Sequence, residues 1–415
     1  MNNRERTPFE GMKQLSSYLT RHNQMRQNCL NLVASENVLS THALAALSSD
    51  LVGRYSSEFY GGSSVNRKII AFVETLVKEL FDCDFACVAP LSGHLCDLAA
   101  LNSLTTIDDT IALISSDDGG YPFQIEYFGR KAAYLPFDRS EWSLDYAKLE
   151  EFFQSKKPKL TILGASAIAY PISITEVQDH LSDTQFTVFD GSHVLGLIAG
   201  SQFQNPLKEG IPVLFGSTHK SFPGPQGGLV VGNDKSIFES VVSQFSIQTS
   251  QHPFGEHQGT VLVDNVHSHR IASLGFAILE MLEFGKEYAE QVVRNSIALG
   301  QELLNLGYSV IVNSQHGISK SHQILLPMKK QEGLAFKRSL EICDIFVDSF
   351  VRIGTSEITR RGYKESEMKE IAEIINFAIS GDREPEVIRR YVHDLSDEHK
   401  ELSFCFDDIP SIINR

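Results

Sequence analysis

The stretches FTVFDGSHVLGLIAG (Phe186–Gly200) and PVLFGSTHKSFPGPQGGLVVG (Pro212–Gly232) decide the fold. Each opens with an apolar run too short for a helix, and each run stops at a polar or glycine-rich turn. Runs of that kind read as strands buried on both faces. Upstream, FACVAP, TIALIS, AAYLPF and LTILGAS have the same form, bounded by Gly, Pro, Asp or Ser. Between them lie segments of helical spacing, Ile69–Phe81 (IIAFVETLVKELF) and CDLAALNSL, and Thr41–Gly53 also reads as helix. GRYSSEFYGGSS (Gly53–Ser64) reads as a loop. Strands alternating with helices predict an α/β domain with a mostly parallel sheet.

From about Asn265 the pattern changes. A long helical stretch, His269 to Leu306, ends at Gly307, and YSVIV, HQILLP and FVRIGT follow as further strands between two more helical runs. This predicts a smaller α+β C-terminal domain. The expected division is an N-terminal segment (1–45), a large domain (46–265) and a small domain (266–415). The tail, with its aromatic cluster SFCFDD, reads as a helix plus an ordered or half-ordered end.

Composition narrows the class. The chain has 415 residues, 42% hydrophobic and 21% charged, a soluble globular balance. Its formal net charge of -15 disfavours nonspecific binding to nucleic acid or anionic membrane. Any anionic ligand must then be held by local devices such as helix N-termini. Met1–Gln14 lacks the apolar core of a signal peptide, and no apolar run approaches the roughly 20 residues that span a bilayer. Six cysteines in so long a chain are no disulfide framework. Cys83 and Cys87, the close pair, read as structural rather than as a metal clip. A cytoplasmic enzyme is expected.

Three motifs carry chemistry. Ser92-Gly93-His94 lies between a buried strand and a helix, where backbone N–H groups and a hydroxyl suit a phosphate. Asp190 ends the strand FTVF, at the edge where open α/β sheets bind ligands, although by itself it also reads as a helix cap. Lys220 sits in GSTHKSFPGPQGG, a loop of small hydroxyl, Gly and Pro residues, where an exposed loop lysine is the competing reading. Phosphate turn, then acid, then lysine is the order seen in fold-type I enzymes of pyridoxal 5′-phosphate (PLP), in which a lysine forms a Schiff base and a carboxylate keeps the pyridine nitrogen protonated.

The sequence resembles one family in particular, the serine hydroxymethyltransferases. NLVASEN (Asn31–Asn37) resembles their LIASEN, and YGG (Tyr60–Gly62) the end of their RYYGG loop. FDGSHVLGLIAG resembles their D-x-A-H-x-x-G-L-x-A segment, and STHKSFPGPQGG their TTHK-x-x-x-GPRGG. VRIGTSEITRRGYKE (Val351–Glu365) resembles IRxGTPAxTRRGFKE. The resemblance implies a Schiff base at Lys220, with Asp190 at the pyridine nitrogen and His193 and His219 around the cofactor. Ser92, Gly93 and His94 would hold the phosphate, and Tyr121 and Ser166 would complete the cofactor site. Arg352 would clamp the substrate carboxylate, which favours arginine over lysine. Ser35 and Tyr60 would line the substrate side. Tyr55 would reach in from a second subunit, in a homodimer with shared sites.

The departures from the family pattern bear on the reaction. YSSEF replaces the family's Y-A-E-G-Y-P, so its catalytic glutamate lines up with Ser57, next to Glu58. Gly119–Tyr121 is GGY where the family has GGH; a phenol stacks but does not switch charge near neutrality. His94 stands where Ser is usual, Gln226 replaces the GPRGG arginine, and FGEHQG (Phe254–Gly259) replaces a glycine-rich stretch. The long loop before the C-terminal arginine motif is missing: EICDIFVDSF runs directly into VRIGT. These changes keep the amino-acid half of the site and reduce the folate half. The expected reaction is folate-independent aldol cleavage and formation of Cα–Cβ in β-hydroxy-α-amino acids, of the L-threonine transaldolase or aldolase type, with an aldehyde as second substrate. The lysine loop and the Ser-Phe-x-Phe-Asp segment resemble that type. Alternatives are a tetrahydrofolate-using hydroxymethyltransferase, or transamination, racemisation or decarboxylation on the same scaffold.

Overall fold

The computed structural model describes residues 7–245, 248–252, 255–259, 261–350 and 352–407, the two short segments by their backbone alone. A seven-stranded sheet forms the centre. In chain order its strands are β1 (Phe85–Cys87), β2 (Thr110–Leu113), β3 (Lys131–Tyr134), β4 (Leu160–Leu163), β5 (Phe186–Asp190), β6 (Val213–Ser217) and β7 (Gly228–Gly232). Across the sheet they run β1-β7-β6-β5-β4-β2-β3, and only β7 is antiparallel to its neighbours. Each strand predicted from the short apolar runs is present. Helices cover both faces, so β4, β6 and β7 are buried along their whole length, which is why these strands lack polar alternation.

Four helices position the site. The helix α1 (Pro8–Gln27) starts at a capping box in which Thr7 and Glu10 exchange hydrogen bonds, and it buries none of its residues against the rest of the chain. Next, α2 (Ser64–Phe81) packs on the sheet through Val73, Leu76, Val77 and Phe81. Capped by Ser92, α3 (Gly93–Leu104) is apolar nearly all round and buried accordingly. The long α4 (Ser268–Asn305) serves two cores. Its first part contributes Ile271, Leu274, Ile278 and Met281 to the core on one face of the sheet. Leu299 and Leu303 near its end join a separate C-terminal core with Ile324, Phe336, Ile353 and Ile371.

Leu30 and Leu32 also belong to that C-terminal core, and Leu30–Asn31 pairs in parallel with Ile345–Phe346. The N-terminal segment thus joins residues more than 300 positions away. YSVIV was expected as a strand, but Tyr308–Val312 forms none; Ile311 donates one backbone hydrogen bond to Leu325, at the end of the strand Gln323–Leu325, and the contact does not extend into a ladder. The helix Pro385–Glu398 precedes the tail. Ser403 N–H donates to the Arg360 carbonyl, and the Arg360 guanidinium donates to the carbonyls of Ser403 and Phe404 and to Glu280. The Arg360–Glu280 pair is sealed from solvent, each side chain 1% exposed. The Phe404 ring lies 5.7 Å from that of Tyr288, whose hydroxyl donates to the Ser221 carbonyl at 2.9 Å. Asn37 Nδ2 donates to the Lys220 carbonyl at 2.8 Å and to the same Tyr288 hydroxyl at 2.9 Å, so the two side chains hold the lysine loop together.

Of the FGEHQG stretch, Phe254 lies outside the described residues, and Gly255–Gly259 is a strand antiparallel to Gln248–His252. No helix among the described residues is long and apolar enough to cross a membrane. Cys83 donates to the Phe85 carbonyl at the turn from α2 into β1, and burial pushes its thiol up to about 11 and that of Cys87 to about 12.

Candidate active site

Parallel strands end at one edge of the sheet, and the chemical motifs gather there. Ser92 follows β1, Tyr121 follows β2, Ser166 follows β4, Asp190 ends β5 and Lys220 follows β6. Ser92 Oγ caps α3 by accepting from Leu95 N–H at 3.2 Å, which leaves its own proton to donate. Gly93 opens the helix so tightly against β5 and β6 that a Cβ there would lie 2.5 Å from Ser217 Oγ and 2.6 Å from Ser192 Oγ. The start of α3 is therefore a cradle of hydroxyls and unpaired first-turn N–H groups, with the helix dipole aimed into it.

Asp190 accepts from Ser192 N–H through Oδ1 at 2.9 Å. Gly164, at φ +114°, lets the end of β4 close on it: a Cβ would sit 2.1 Å from the Asp190 carbonyl oxygen. Lys220 is pushed below the ordinary lysine range, chiefly by burial; Asp190 opposes this, Arg352 adds to it and Asp97 opposes it. Among the described residues no hydrogen bond reaches Lys220 Nζ. Asp97, on α3, was missed in the sequence. It is 2% exposed, and burial, reinforced by the Asp190 carboxylate, holds its pKa well above the usual carboxylate range. Asp97, Asp190, Tyr121 and Gly164 enclose a cavity of about 20 Å³, room for one water. Tyr121 leans on His94, ring centroids 5.8 Å apart, and its phenol is raised by burial and then by Asp97 and Asp190.

A second group faces the lysine from the C-terminal strand pair, β8 (Gln323–Leu325) and β9 (Arg352–Gly354). Arg352 donates from Nη1 to the Ser166 carbonyl at 2.5 Å, so Ser166 enters the site through its backbone. Asp348 Oδ2 holds the other edge of the guanidinium, 2.9 Å from Nε and 2.7 Å from Nη2. His193, 4% exposed, contacts Gln323 through Nδ1 at 2.9 Å and Arg352 through Nε2 at 3.5 Å. Burial, then the cations Lys220 and Arg352, hold its pKa well below the usual imidazole range. His322 stacks on His193 at 5.8 Å and is pushed down to about 3 by burial. Its Nε2 meets the carbonyl of Ala34, which places the turn carrying Ser35 beside this group. His219 is pushed down to about 4, chiefly by burial and then by Lys220, and its Nδ1 is buried without a hydrogen-bond partner.

Three expected residues stand apart. Tyr55 and Tyr60 stack on each other at 4.3 Å on an exposed loop, and Glu58, with 81% of its side chain exposed, turns to Arg67 at 3.5 Å. Ser57 lies in the same loop. Gln226 lines a cleft of about 490 Å³ with His219, Glu36, Arg26 and Arg361. Another cavity of about 530 Å³, bounded by Glu141, Tyr170, Glu209 and His316, includes none of Lys220, Asp190 and Arg352. Volume is thus no guide to the chemistry here; the convergence of strand ends is the better one.

These residues fit a phosphorylated pyridine aldehyde. The Gly93 cradle matches the phosphate, and the Asp190 carboxylate matches a ring nitrogen. A buried amine without a hydrogen bond matches the aldehyde, and the orphaned His219 Nδ1 marks a polar neighbour still to be met. Fold and site together define a fold-type I α/β transferase, the class that uses PLP. The family model for serine hydroxymethyltransferase matches residues 11–375. A serine hydroxymethyltransferase of Archaeoglobus fulgidus is 33% identical, over 93% of this chain and 91% of its own. That of Methanocella arvoryzae is 34% identical, over 92% and 93%. A solved L-threonine transaldolase from Pseudomonas fluorescens superposes with a TM-score of 0.86, covering 98% of this chain and 96% of that one at 24% identity. The chain belongs to the serine hydroxymethyltransferase family, and membership implies PLP and chemistry at Cα–Cβ of an amino acid.

Proposed function

We propose that this chain makes and breaks the Cα–Cβ bond of β-hydroxy-α-amino acids with PLP and without folate, exchanging the aldehyde of L-threonine for another. The observation that carries the reading is the Asp348–Arg352 contact: the segment Glu341–Phe350 enters the arginine motif directly and brings its own carboxylate to the guanidinium. The family's longer loop, which helps form the folate pocket, has no counterpart there. Glu58, the nearest candidate for the family's glutamate, is paired with Arg67 instead.

Bound PLP would supply an electron sink for the pair of electrons left at Cα when Cα–Cβ breaks. Ser92, Gly93 and His94 would hold its phosphate, Asp190 its pyridine nitrogen and Tyr121 its ring face. Lys220 Nζ, whose pKa burial lowers, would be the nucleophile that retains the cofactor and would carry a proton at Cα. Arg352 orients the amino acid through its carboxylate, with Ser35 beside it. The buried His193–His322 pair keeps the site free of added positive charge at neutral pH.

A second copy of the chain completes the site. Phe9, Met12, Leu15, Tyr18 and Leu19 expose an apolar row on α1, and Leu51, Ile69, Phe72, Phe276 and Leu279 line an apolar cavity of about 300 Å³. Patches of this kind on one chain favour a partner. Tyr55 and Tyr60 are exposed on their own chain and would serve the neighbouring site.

Holoenzyme given L-threonine and an aromatic aldehyde should release acetaldehyde and form a new β-hydroxy amino acid, read by mass spectrometry without added folate. Absence of both products sinks the reading. The curated relatives favour a second one, hydroxymethyl transfer to tetrahydrofolate. L-Serine turnover that appears only with tetrahydrofolate would establish it.

A further inference from the structure

The Gln323 amide is fully buried, and two backbone groups fix which way it faces. Its Oε1 accepts from Ile168 N–H at 2.9 Å, and its Nε2 donates to the Ser166 carbonyl at 3.1 Å. Turning the amide over would set N–H against N–H and oxygen against oxygen, losing both bonds. The second Nε2 proton then points at His193 Nδ1, 2.9 Å away. A nitrogen that receives a hydrogen bond carries no proton, so the proton of the neutral imidazole sits on Nε2.

Its neighbours agree with this assignment. His322 Nε2, 3.0 Å from the Ala34 carbonyl, must itself be a donor, so its 3.4 Å approach to Gln323 Nε2 is not a hydrogen bond. On the far side, His193 Nε2 faces Arg352 Nη1 at 3.5 Å, and arginine only donates. Two donors face each other there, and both wait for an oxygen.

We infer that Gln323 is a positioning residue that locks His193 as the Nε2–H tautomer, so that His193 presents a neutral hydrogen-bond donor beside Arg352 to an anionic oxygen of the bound cofactor or amino acid. In this role His193 polarises and does not accept a proton at Nε2. The charged groups facing it are Lys220 and Arg352, with His322 and His219 also near, and all of them oppose a positive imidazole. The use of the donor toward cofactor and substrate rests on the PLP reading above; the tautomer does not.

Nitrogen-15 NMR of histidine-labelled protein, with and without PLP, tests this. The His193 signals are identified by their loss in His193→Asn. Wild-type protein should show His193 Nδ1 unprotonated and Nε2 protonated at neutral and mildly alkaline pH. Gln323→Glu should move the proton to Nδ1 or protonate both nitrogens. Gln323→Met should populate both tautomers and lower kcat in proportion to the Nε2–H form lost, about two-fold for an even mixture. A wild-type His193 protonated on Nδ1, or a folded Gln323→Glu protein with unchanged shifts, overturns the lock. The wild-type spectrum decides even if a variant fails to fold. The expected tautomer in a protein that binds no PLP would sink the cofactor reading alone, whereas the wrong tautomer in active holoenzyme would sink only the lock.

Discussion

Asp348 holds Arg352 by its Nε and Nη2 edge through a single carboxylate oxygen, at 2.9 and 2.7 Å, with both side chains mostly buried. A substrate carboxylate arriving at the same guanidinium meets a like charge a few ångströms away, an interaction of about 1 kcal/mol or more at a partly buried site. Asp348→Asn keeps the shape and removes the charge. We expect it to tighten glycine binding to the holoenzyme by about tenfold, read by spectral titration. Weakened binding would mean that Asp348 acts only to aim the arginine.

Three buried histidines couple stability to pH. Burial holds their folded pKa values below the ordinary 6.5 of an imidazole: His219 at about 4, His322 at about 3 and His193 well below the usual range. Below pH 6.5 the unfolded chain binds protons that the folded chain refuses. The stability these groups contribute is therefore complete above pH 6.5 and is lost progressively as pH falls toward about 4 for His219 and about 3 for His322. Between pH 7.5 and 5.5 the loss should reach about 4 kcal/mol for the three together. Urea unfolding of cofactor-free protein measures it; a change below about 1 kcal/mol would contradict the assignment.

Asp97 acts in the opposite direction on the pH axis. Its raised pKa means that the folded chain holds a proton the unfolded chain releases, so its contribution weakens as pH rises above the ordinary carboxylate range. Asp97→Asn should remove that part of the slope and leave the protein at least as stable at pH 8. Destabilisation at pH 8 would show that an ionised Asp97 is needed.

Sharing of the site between copies has a direct test. Lys220→Ala and Tyr55→Ala proteins should each be nearly inactive. After dissociation and reassociation in equal amounts, hybrid dimers carry one intact site of two, and activity should return to about a quarter of wild type. No recovery would place Tyr55 in the site of its own chain. Phe72→Asp should give monomers in light scattering.

Glu280→Gln leaves the Arg360 charge without its carboxylate in a sealed position. Breaking a buried pair from one side costs about 3–5 kcal/mol. The denaturant midpoint should fall accordingly, and a change under about 1 kcal/mol would mean that the two tail carbonyls satisfy Arg360 by themselves.

What the sequence disclosed follows a physical division. The strands from FTVFD to GGLVVG were legible because a strand covered on both faces must be apolar throughout. Ser92, Asp190 and Lys220 were legible because each follows such a strand in the chain. Asp97 was not, since a single aspartate in an otherwise apolar helix gives no sign of what faces it. Gln323 meets His193 across 130 residues, and its neighbours in sequence are ordinary strand residues. Tyr308–Val312 misled for the converse reason: it has the composition of a strand, but its one backbone hydrogen bond to β8 does not extend into a ladder. The helix α1 carries an apolar row that no described part of its own chain buries.

The Phe404–Tyr288–Ser221 connection ties a segment late in the chain to the loop of Lys220. Synthesis runs from the N-terminus, so the sheet and the lysine loop emerge well before Phe404 does. Until then Tyr288 lacks the ring that packs against it and Arg360 lacks two of its carbonyl acceptors. A nascent chain therefore presents the lysine loop before the Phe404 contact to Tyr288 has been made.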